Sequence, residues 1–372
     1  MPTKSHIAYL DSIRGLAALF VFSEHFVIAY GLPCESLLCR KILDDTPLHF
    51  WWDGGAAVSM FFVLSGFVLS LKYFRPGHQP DLNGFNICQY TLGRLFRIWL
   101  PYCAVLIISA WLYTQNGSSP ALSTLLPASD WLLSMWRDYH LSPRDMLRES
   151  FLLKLPDTVV LLPQSWTLAI ELVLSLLLPI GLLLVEKGIL WLVFFALFAV
   201  TLLGVSPFLL HFLMGLLIAR YYAVIAGYLR CKAWQRRFLL LVGIGFYTSA
   251  GVLQGLALNE SLEWFCSGLG AGLIILFALS SRRAQAFLSY PILRQVGKVS
   301  YSAYLIHMAI LICLTPHLLK GLEFFTANRM TLWFSGWLLT LAIVQLLSTL
   351  SYHWLETPSM AMGRRVQLLL KA

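Results

Sequence analysis

The chain has 372 residues, of which 58% are hydrophobic and only 12% are charged, and its formal net charge is +9. A soluble domain of this length needs a far more polar surface, so the composition excludes an ordinary soluble protein and favours a polytopic membrane protein. The apolar runs are continuous rather than alternating, which favours helices over a β-barrel. The first run is long, contains charges and lacks a small-residue exit, so we predict no cleaved signal peptide.

Ten apolar stretches have the length of a membrane-crossing helix, which takes about 20 residues. They lie at residues 7–32, 56–73, 97–114, 165–185, 188–205, 207–226, 238–257, 263–280, 300–319 and 331–352. With the N-terminus inside, most lysines and arginines fall on the cytoplasmic side and most acids on the other. The positive-inside rule therefore predicts an all-α polytopic membrane helical bundle with about ten transmembrane helices and both termini cytoplasmic.

The excess of lysines and arginines on the cytoplasmic side accounts for the net positive charge without nucleic-acid binding. We therefore expect the lipid bilayer, and no nucleic acid, as a partner. We predict a single integral-membrane domain over residues 1–372. The seven cysteines show no metal-ligand spacing, and we expect no metal. Cys34 and Cys39 lie together in the first loop, where they either pair in an oxidising compartment or remain free thiols.

Ionisable residues interrupt the first apolar stretch. Because a charge inside a membrane span is energetically costly, such residues are by default candidates for a functional site. Arg14 and His25 are eleven residues apart, almost three helical turns, so they share one helix face. Asp11 lies on the same side, three residues before Arg14. This pair either eases membrane insertion or helps to hold a substrate, and the two interpretations are compatible.

His25 is the strongest candidate for a catalytic base. A hydroxyl is a poor nucleophile until a base takes its proton, and imidazole titrates in a suitable range. The alternative is a structural histidine that is hydrogen-bonded to a neighbouring helix.

Arginines precede the third stretch on the predicted cytoplasmic side. Arg94 and Arg97 are three residues apart, lie on one helix face and suit phosphate oxygens, and Lys72 and Arg75 fall in the same loop. Phosphates of a cytosolic donor are one interpretation, and ordinary positive-inside anchoring is the other.

In the long loop at residues 115–164, the pattern near residues 131–153 predicts an amphipathic helix. This helix either covers a substrate or lies in the membrane interface without a part in the chemistry. The stretch after it carries Trp166, a candidate substrate-binding residue, and Glu171. That carboxyl is predicted to pair with His25 or Arg14 or to accept a proton, and the alternative is a neutral, hydrogen-bonded group.

The ninth stretch carries Ser300, Tyr304 and His307 at spacings that place them on one helix face. They form either a polar wall for substrate or hydrogen bonds between helices. His211 lacks such neighbours and is predicted to be structural. The segment 351–358 is predicted to end the last helix at the cytoplasmic surface.

These motifs together resemble the membrane-bound acyltransferase-3 family. The similar blocks are Leu-Asp-x-x-Arg-Gly at 10–15 with a histidine eleven residues after its arginine, Phe-Phe-Val-Leu-Ser-Gly-Phe at 61–67, Arg-x-x-Arg at 94–97, Trp-Thr-Leu-x-x-Glu at 166–171, Gly-Lys-x-Ser-Tyr-x-x-Tyr-Leu-x-His at 297–307, and the closing Ser and Glu-x-Pro at 351–358. The resemblance implies that His25 acts at the reacting centre, that Arg14 is required, and that the Arg94 motif binds the donor. Ser59 stands where the family has an acid, which weakens any catalytic role there.

From this resemblance we predict a membrane O-acyltransferase in a bacterial inner membrane. It would move an acyl group, first of all acetyl, from acyl-CoA to a hydroxyl of a cell-surface or lipid-linked polysaccharide, with no permanently bound cofactor. Direct transfer and a covalent acyl intermediate both remain open, as does the oligomeric state. The alternatives are a polysaccharide or small-molecule transporter and a non-catalytic assembly subunit, although we find no internal two-fold repeat of the kind many transporters carry.

Overall fold

Helices make up the regular structure of the chain wherever it is described. The computed structural model describes residues 8–34, 36–44, 46–74, 85–116, 123–136, 141–152, 161–202, 206–250, 253 and 260–369. Within these ranges there is no β-strand, so the all-α prediction is confirmed.

The α-helices are numbered here in chain order. They are α1 Ala8–Tyr30, α2 Leu37–Asp44, α3 Gly54–Leu71, α4 Ile87–Asn116, α5 Asp130–Ser134, α6 Pro143–Ser150, α7 Trp166–Leu176, α8 Leu178–Lys187, α9 Ile189–Thr201, α10 Phe208–Arg230, α11 Ala233–Tyr247, α12 Glu260–Ser280, α13 Arg282–Leu288, α14 Pro291–Lys298, α15 Ser300–Cys313, α16 Thr315–Leu322, α17 Arg329–Ser351 and α18 Thr357–Leu369. Two 3-10 segments, Pro47–Trp52 and Pro163–Ser165, precede α3 and α7.

Six helical runs in the described residues are long and apolar enough to cross a membrane, or up to eight if each of two bent helix pairs counts as one span. One bent pair is α7 with α8, where Pro179 lies in the first turn of α8 and cannot donate a helical hydrogen bond. The helix α9, at 13 residues, is shorter than a usual span. The count of about ten spans and the cytoplasmic termini stay predictions.

The last long helix does not end where the sequence suggests. A π-helical turn, Tyr352–Glu356, joins α17 to α18 without a break. Pro358 follows in the first turn of α18, where its missing N–H costs little because the π-turn already interrupts the regular ladder. The prediction that residues 351–358 end the helix is therefore wrong.

Two compact units divide the chain, and each is assembled from separate segments. Unit 1 comprises Met1–Val21, Lys41–Phe85 and Val173–Lys298. Unit 2 comprises Phe22–Arg40, Asn86–Leu172 and Val299–Ala372. The helix α1 contributes its first part to unit 1 and its second part, with His25, to unit 2.

Unit 1 packs α3 against α10 and α12 through small residues. A side-chain carbon at Gly66 would collide with the backbone carbonyl of Phe212, so only glycine allows this helix crossing. Gly66 belongs to the Phe-Phe-Val-Leu-Ser-Gly-Phe block at 61–67, so this block contains a helix-packing position. Backbone proximity of this kind is how helices associate where lipid removes the hydrophobic driving force.

Unit 2 has an aromatic core around the end of α1. Trp333 is 1% exposed, and its indole N–H donates a hydrogen bond of 2.7 Å to the carbonyl of Gly31. Its ring meets Phe26 edge-on, with centroids 5.3 Å apart. Cys34 and Cys39 form a disulfide just after α1, which decides between the two alternatives for this loop. These contacts fix the part of α1 that carries His25.

Candidate active site

His25 and His307 meet inside unit 2, on α1 and α15. Nδ1 of His25 lies 2.9 Å from Nε2 of His307, and the two ring centroids are 5.1 Å apart. His307 is 2% exposed, whereas His25 is only part-buried. The structure thus brings together two candidate residues that are 282 positions apart in the sequence.

The hydrogen bonds around these rings determine which nitrogens carry protons. Nδ1 of His307 lies 2.8 Å from the carbonyl oxygen of Tyr304, which can only accept, so Nδ1 is protonated. In neutral His307 the Nε2 nitrogen then bears a lone pair and accepts the Nδ1 proton of His25. Neutral His25 is left with a lone pair on Nε2, and no described residue hydrogen-bonds that nitrogen. This assignment follows from the hydrogen-bond network.

A polar frame from the start of α7 holds this part of α15. The amide of Gln164 donates to the carbonyls of Tyr304 at 3.2 Å and Leu305 at 2.7 Å. The hydroxyl of Tyr304 donates to the Gln164 carbonyl at 3.1 Å and lies 2.6 Å from the hydroxyl of Thr167. The Tyr304 carbonyl that orients His307 is therefore itself fixed by a neighbouring helix.

Arg94 and Glu171 form a second polar centre in unit 2. A guanidinium nitrogen of Arg94 lies 3.1 Å from a carboxylate oxygen of Glu171, and the two side chains are 9% and 25% exposed. The Nε of Arg94 is buried and has no hydrogen-bond partner in the described part of the chain. Glu171 thus has an arginine partner that the spacing of the motifs did not suggest. Burial makes this pair costly to break, because either charge alone would be poorly solvated.

Glu356 belongs to the same polar cluster. Its carboxylate accepts a hydrogen bond of 3.1 Å from the Ser302 hydroxyl, and the residue is 4% exposed. Glu356, Glu171 and Arg94 all act electrostatically on Tyr301, whose hydroxyl donates to the backbone of α4. Glu356 is the last residue of the π-helical turn, a distortion that is frequent at functional sites.

Trp131 stacks on His25 and was not among the predicted site residues. The indole and imidazole planes are within 6° of parallel, and their centroids are 5.7 Å apart. Trp131 lies in α5, on the long loop between α4 and α7. The long loop thus contacts His25, and its role as a cover over a substrate stays a prediction.

Unit 1 holds the other half of the first motif. Arg14 and Asp11 form the predicted ion pair at 3.0 Å, with side chains 28% and 53% exposed. Gly15 faces Gly297 of α14 so closely that an added side-chain carbon would lie 2.6 Å from the Gly297 nitrogen. This contact explains why both motifs need glycine next to their basic residue.

A basic cavity of about 360 Å³ opens beside this helix crossing. Its lining residues are Asp11, Pro291, Arg294, Gln295 and Lys298. Arg294 and Lys298 are one helical turn apart on α14 and face the same cavity. The cavity therefore offers cationic groups to an anion.

Comparison with known proteins gives one family. A family model described as an acyltransferase domain, that of the acyltransferase-3 family, matches residues 7–351. The chain belongs to the acyltransferase-3 family. It is an integral, multi-pass membrane acyltransferase that transfers groups other than amino-acyl groups. No curated protein and no solved structure matches the chain.

The donor-binding residues that the acyltransferase-3 motifs suggest have different surroundings. Arg97 is exposed on α4, one turn after the buried Arg94. Lys72 is exposed at the end of α3, and its ammonium lies 4.6 Å from the ring centroid of Tyr73. Arg75 lies outside the described residues. Their role in donor binding stays a prediction.

The remaining predicted substrate-binding residues lie at helix starts. Ser300 begins α15 and is 1% exposed, and Trp166 begins α7 and is half-buried. Sequence reasoning missed Gln164 and Thr167, although both flank Trp166 in a motif that it had singled out. It also missed Trp131, for which the amphipathic pattern of the loop was the available signal.

Proposed function

We propose that this acyltransferase moves an acyl group, first of all acetyl, from acyl-CoA to a hydroxyl of a carbohydrate. A cell-surface or lipid-linked polysaccharide in a bacterial inner membrane is the proposed acceptor. The observation that carries the proposal is the 2.9 Å contact between Nδ1 of His25 and Nε2 of His307, from which we infer that neutral His25 has its lone pair on Nε2. Family membership supports the reaction type, and the predicted topology supports a cytosolic donor.

In the proposed reaction His25 acts as general base. The acceptor hydroxyl gives its proton to Nε2 of His25 while its oxygen forms a bond to the thioester carbon. The resulting tetrahedral intermediate collapses, the carbon–sulfur bond breaks, and the departing thiolate takes the proton back from the imidazolium. The same lone pair suits attack on the thioester itself, which would give an acyl-imidazole intermediate, so both routes stay open.

Two cationic surfaces suit the phosphates of the donor. Arg97 is exposed, and the buried Nε of Arg94 retains a donor hydrogen for a ligand oxygen. In unit 1, Arg294 and Lys298 line the basic cavity described above. Arginine suits phosphate because its planar fork can donate two hydrogen bonds to one group.

A transporter or exporter is the second candidate function, and family membership argues against it. A carrier also has no need for a base whose tautomer is fixed through two further groups. Strict dependence of the activity on acyl-CoA would separate the enzyme from both the transporter and the assembly subunit.

The direct test is transfer of radiolabelled acetyl from acetyl-CoA into the polysaccharide and lipid-linked glycan fractions of membranes that contain the full chain. We expect label with the wild type and with His211→Ala, and none above background with His25→Ala, at equal protein abundance. Label that is equal in all three would remove His25 from the mechanism. Label in none of the fractions would contradict a glycan acceptor.

A further inference from the structure

The indole ring of Trp131 contacts the imidazole ring of His25, the proposed base. Its ring plane lies within 6° of parallel to that of the His25 imidazole, with the two centroids 5.7 Å apart. His25 uses Nδ1 for its hydrogen bond to His307, and no described residue hydrogen-bonds its Nε2. The contact with Trp131 therefore leaves Nε2 available. Trp131 therefore touches His25 without competing for the nitrogen that reacts.

The segment that carries Trp131, residues 123–136, is fastened to the helix of the base. The backbone N–H of Ser129 donates a hydrogen bond of 2.8 Å to the carbonyl of Ala29, one turn beyond His25 on α1. The hydroxyl of Ser129 also caps α5 through the N–H of Leu132. Leu132 itself is 0% exposed, so this short helix is packed against the rest of the protein.

A second fastening lies at the start of the same segment. One carboxylate oxygen of Glu323 accepts from the Ser123 hydroxyl at 2.5 Å and from the N–H groups of Thr124 and Leu125 at 2.6 and 2.9 Å. The other oxygen meets the ammonium of Lys320 at 3.1 Å. Desolvation acts to raise the pKa of Glu323, but the hydrogen bonds from the segment and from Lys320 outweigh it and lower that pKa to about 2.

We propose that Trp131 is a positioning residue for the base: it fixes the ring plane of His25, and its π face stabilises the imidazolium that forms when His25 takes the proton of the acceptor. An indole face attracts a cation within about 6 Å of its centroid, which fits the observed stacking. The proposal rests on the proposed function, because it assumes that His25 becomes protonated during transfer.

If Trp131 serves only to pack the protein, its replacement should have different effects than if it stabilises the imidazolium. If Trp131 only fills space, its loss changes stability and leaves the pH dependence of the reaction alone. If its face stabilises the imidazolium, its loss moves the acidic limb of the kcat/KM profile to lower pH. His307, which hydrogen-bonds His25, is kept unchanged in every variant.

The test uses the full chain in lipid nanodiscs, with Trp131→Phe and Trp131→Leu. We expect kcat/KM to fall about tenfold in Trp131→Leu, with less loss in Trp131→Phe, which keeps an aromatic face. The acidic limb should move down by up to about one pH unit in Trp131→Leu. The control is Trp111→Leu, which removes an indole that is 60% exposed and should change neither quantity.

Glu323→Gln gives a second line of evidence, since it loosens the segment without touching His25. We expect a smaller fall in kcat/KM, and no further fall when this change is combined with Trp131→Leu. Additive losses, or an unchanged pH profile in Trp131→Leu, would overturn the proposal while leaving the proposed function standing.

A readout without turnover separates the two claims. Protonated imidazole quenches indole fluorescence, so the emission difference between wild type and Trp131→Phe should fall as pH falls, and His25→Gln should abolish that dependence. This quenching is expected even if the acyl transfer assay gives no product. Its absence would overturn the stacking of Trp131 on His25.

Discussion

His25 and His211 are both histidines within apolar helices, yet their surroundings differ in kind. His211 is 1% exposed, and its Nε2 donates a hydrogen bond of 2.8 Å to the Trp264 carbonyl, while its Nδ1 is buried with no partner in the described structure. His25 is part-buried, and its Nδ1–H donates a hydrogen bond to a second imidazole, that of His307. Both rings keep a nitrogen lone pair, but the His211 ring is buried, whereas that of His25 is part-buried. Exposure of the ring and the partner of its protonated nitrogen distinguish the two: this partner is a second imidazole for His25 and a backbone carbonyl for His211.

The largest expected effect is that of replacing each histidine by alanine. His25→Ala should lower kcat by about 10²- to 10⁴-fold, the usual contribution of a general base. His211→Ala should keep kcat per folded molecule and lower the thermal unfolding midpoint, because it leaves a cavity and an unpaired carbonyl. Kinetics in nanodiscs, normalised to folded protein, measure both; equal losses of kcat would abolish the distinction.

The second prediction concerns the partner of the base. His307→Leu removes the group that accepts the His25 Nδ1 proton, so either tautomer of His25 becomes possible and kcat should fall by about 10- to 100-fold. His307→Gln offers an amide oxygen as acceptor and should recover part of that loss. If leucine and glutamine have the same kcat, hydrogen-bond acceptance by His307 does not matter.

The third prediction concerns the packing around His211. A side-chain carbon at Gly268 would collide with the His211 ring, so Gly268→Ala should destabilise the protein by about 1–3 kcal/mol, the usual cost of overpacking. Gly227→Ala is the matched control, because nothing lies within 4 Å of the added carbon. Both variants should retain kcat per folded molecule, as measured by thermal unfolding and by kinetics. A large loss of kcat in Gly268→Ala would give the His211 region a part in the chemistry.

The smallest expected effect comes from the basic cavity of unit 1. Arg294→Gln combined with Lys298→Gln should raise KM for acyl-CoA about threefold to tenfold and leave kcat unchanged, since exposed charge contacts are individually weak. Arg283→Gln, an exposed arginine outside the cavity lining, is the control. An unchanged KM in the double variant would limit donor binding to other groups, such as Arg97.

The sequence predicted the helical class, the family, the Asp11–Arg14 ion pair and the histidine now found beside a second candidate. These features depend on composition and on spacing within one helix, which a sequence displays directly. It did not predict that Glu171 pairs with Arg94 or that His25 meets His307. Spacing tells which residues share a helix face, whereas tertiary packing decides which faces meet.

The departures from regular helix have local causes. Residues 165–185 read as one apolar span, and α7 and α8 together are long and apolar enough for one, but the pair is bent by 47° just before Pro179. Residues 351–358 read as a helix end because of Pro358, but the π-helical turn before it lets the helix continue. A hydropathy pattern does not register either distortion of the backbone. The amphipathic pattern of the loop was a signal for Trp131, but a pattern within one segment does not show which other segment it will contact.

The proposed mechanism requires that neutral His25 carries its proton on Nδ1 and its lone pair on Nε2. Nitrogen-15 NMR of the histidine-labelled chain in nanodiscs reads the protonation of each ring nitrogen, and subtraction of the His25→Gln spectrum isolates His25 from the other eight histidines. We predict a protonated Nδ1 and an unprotonated Nε2 at neutral pH. In His307→Leu, part of the His25 population should instead carry the proton on Nε2. A protonated Nε2 in the wild type would contradict the proposed role of His25 as the base.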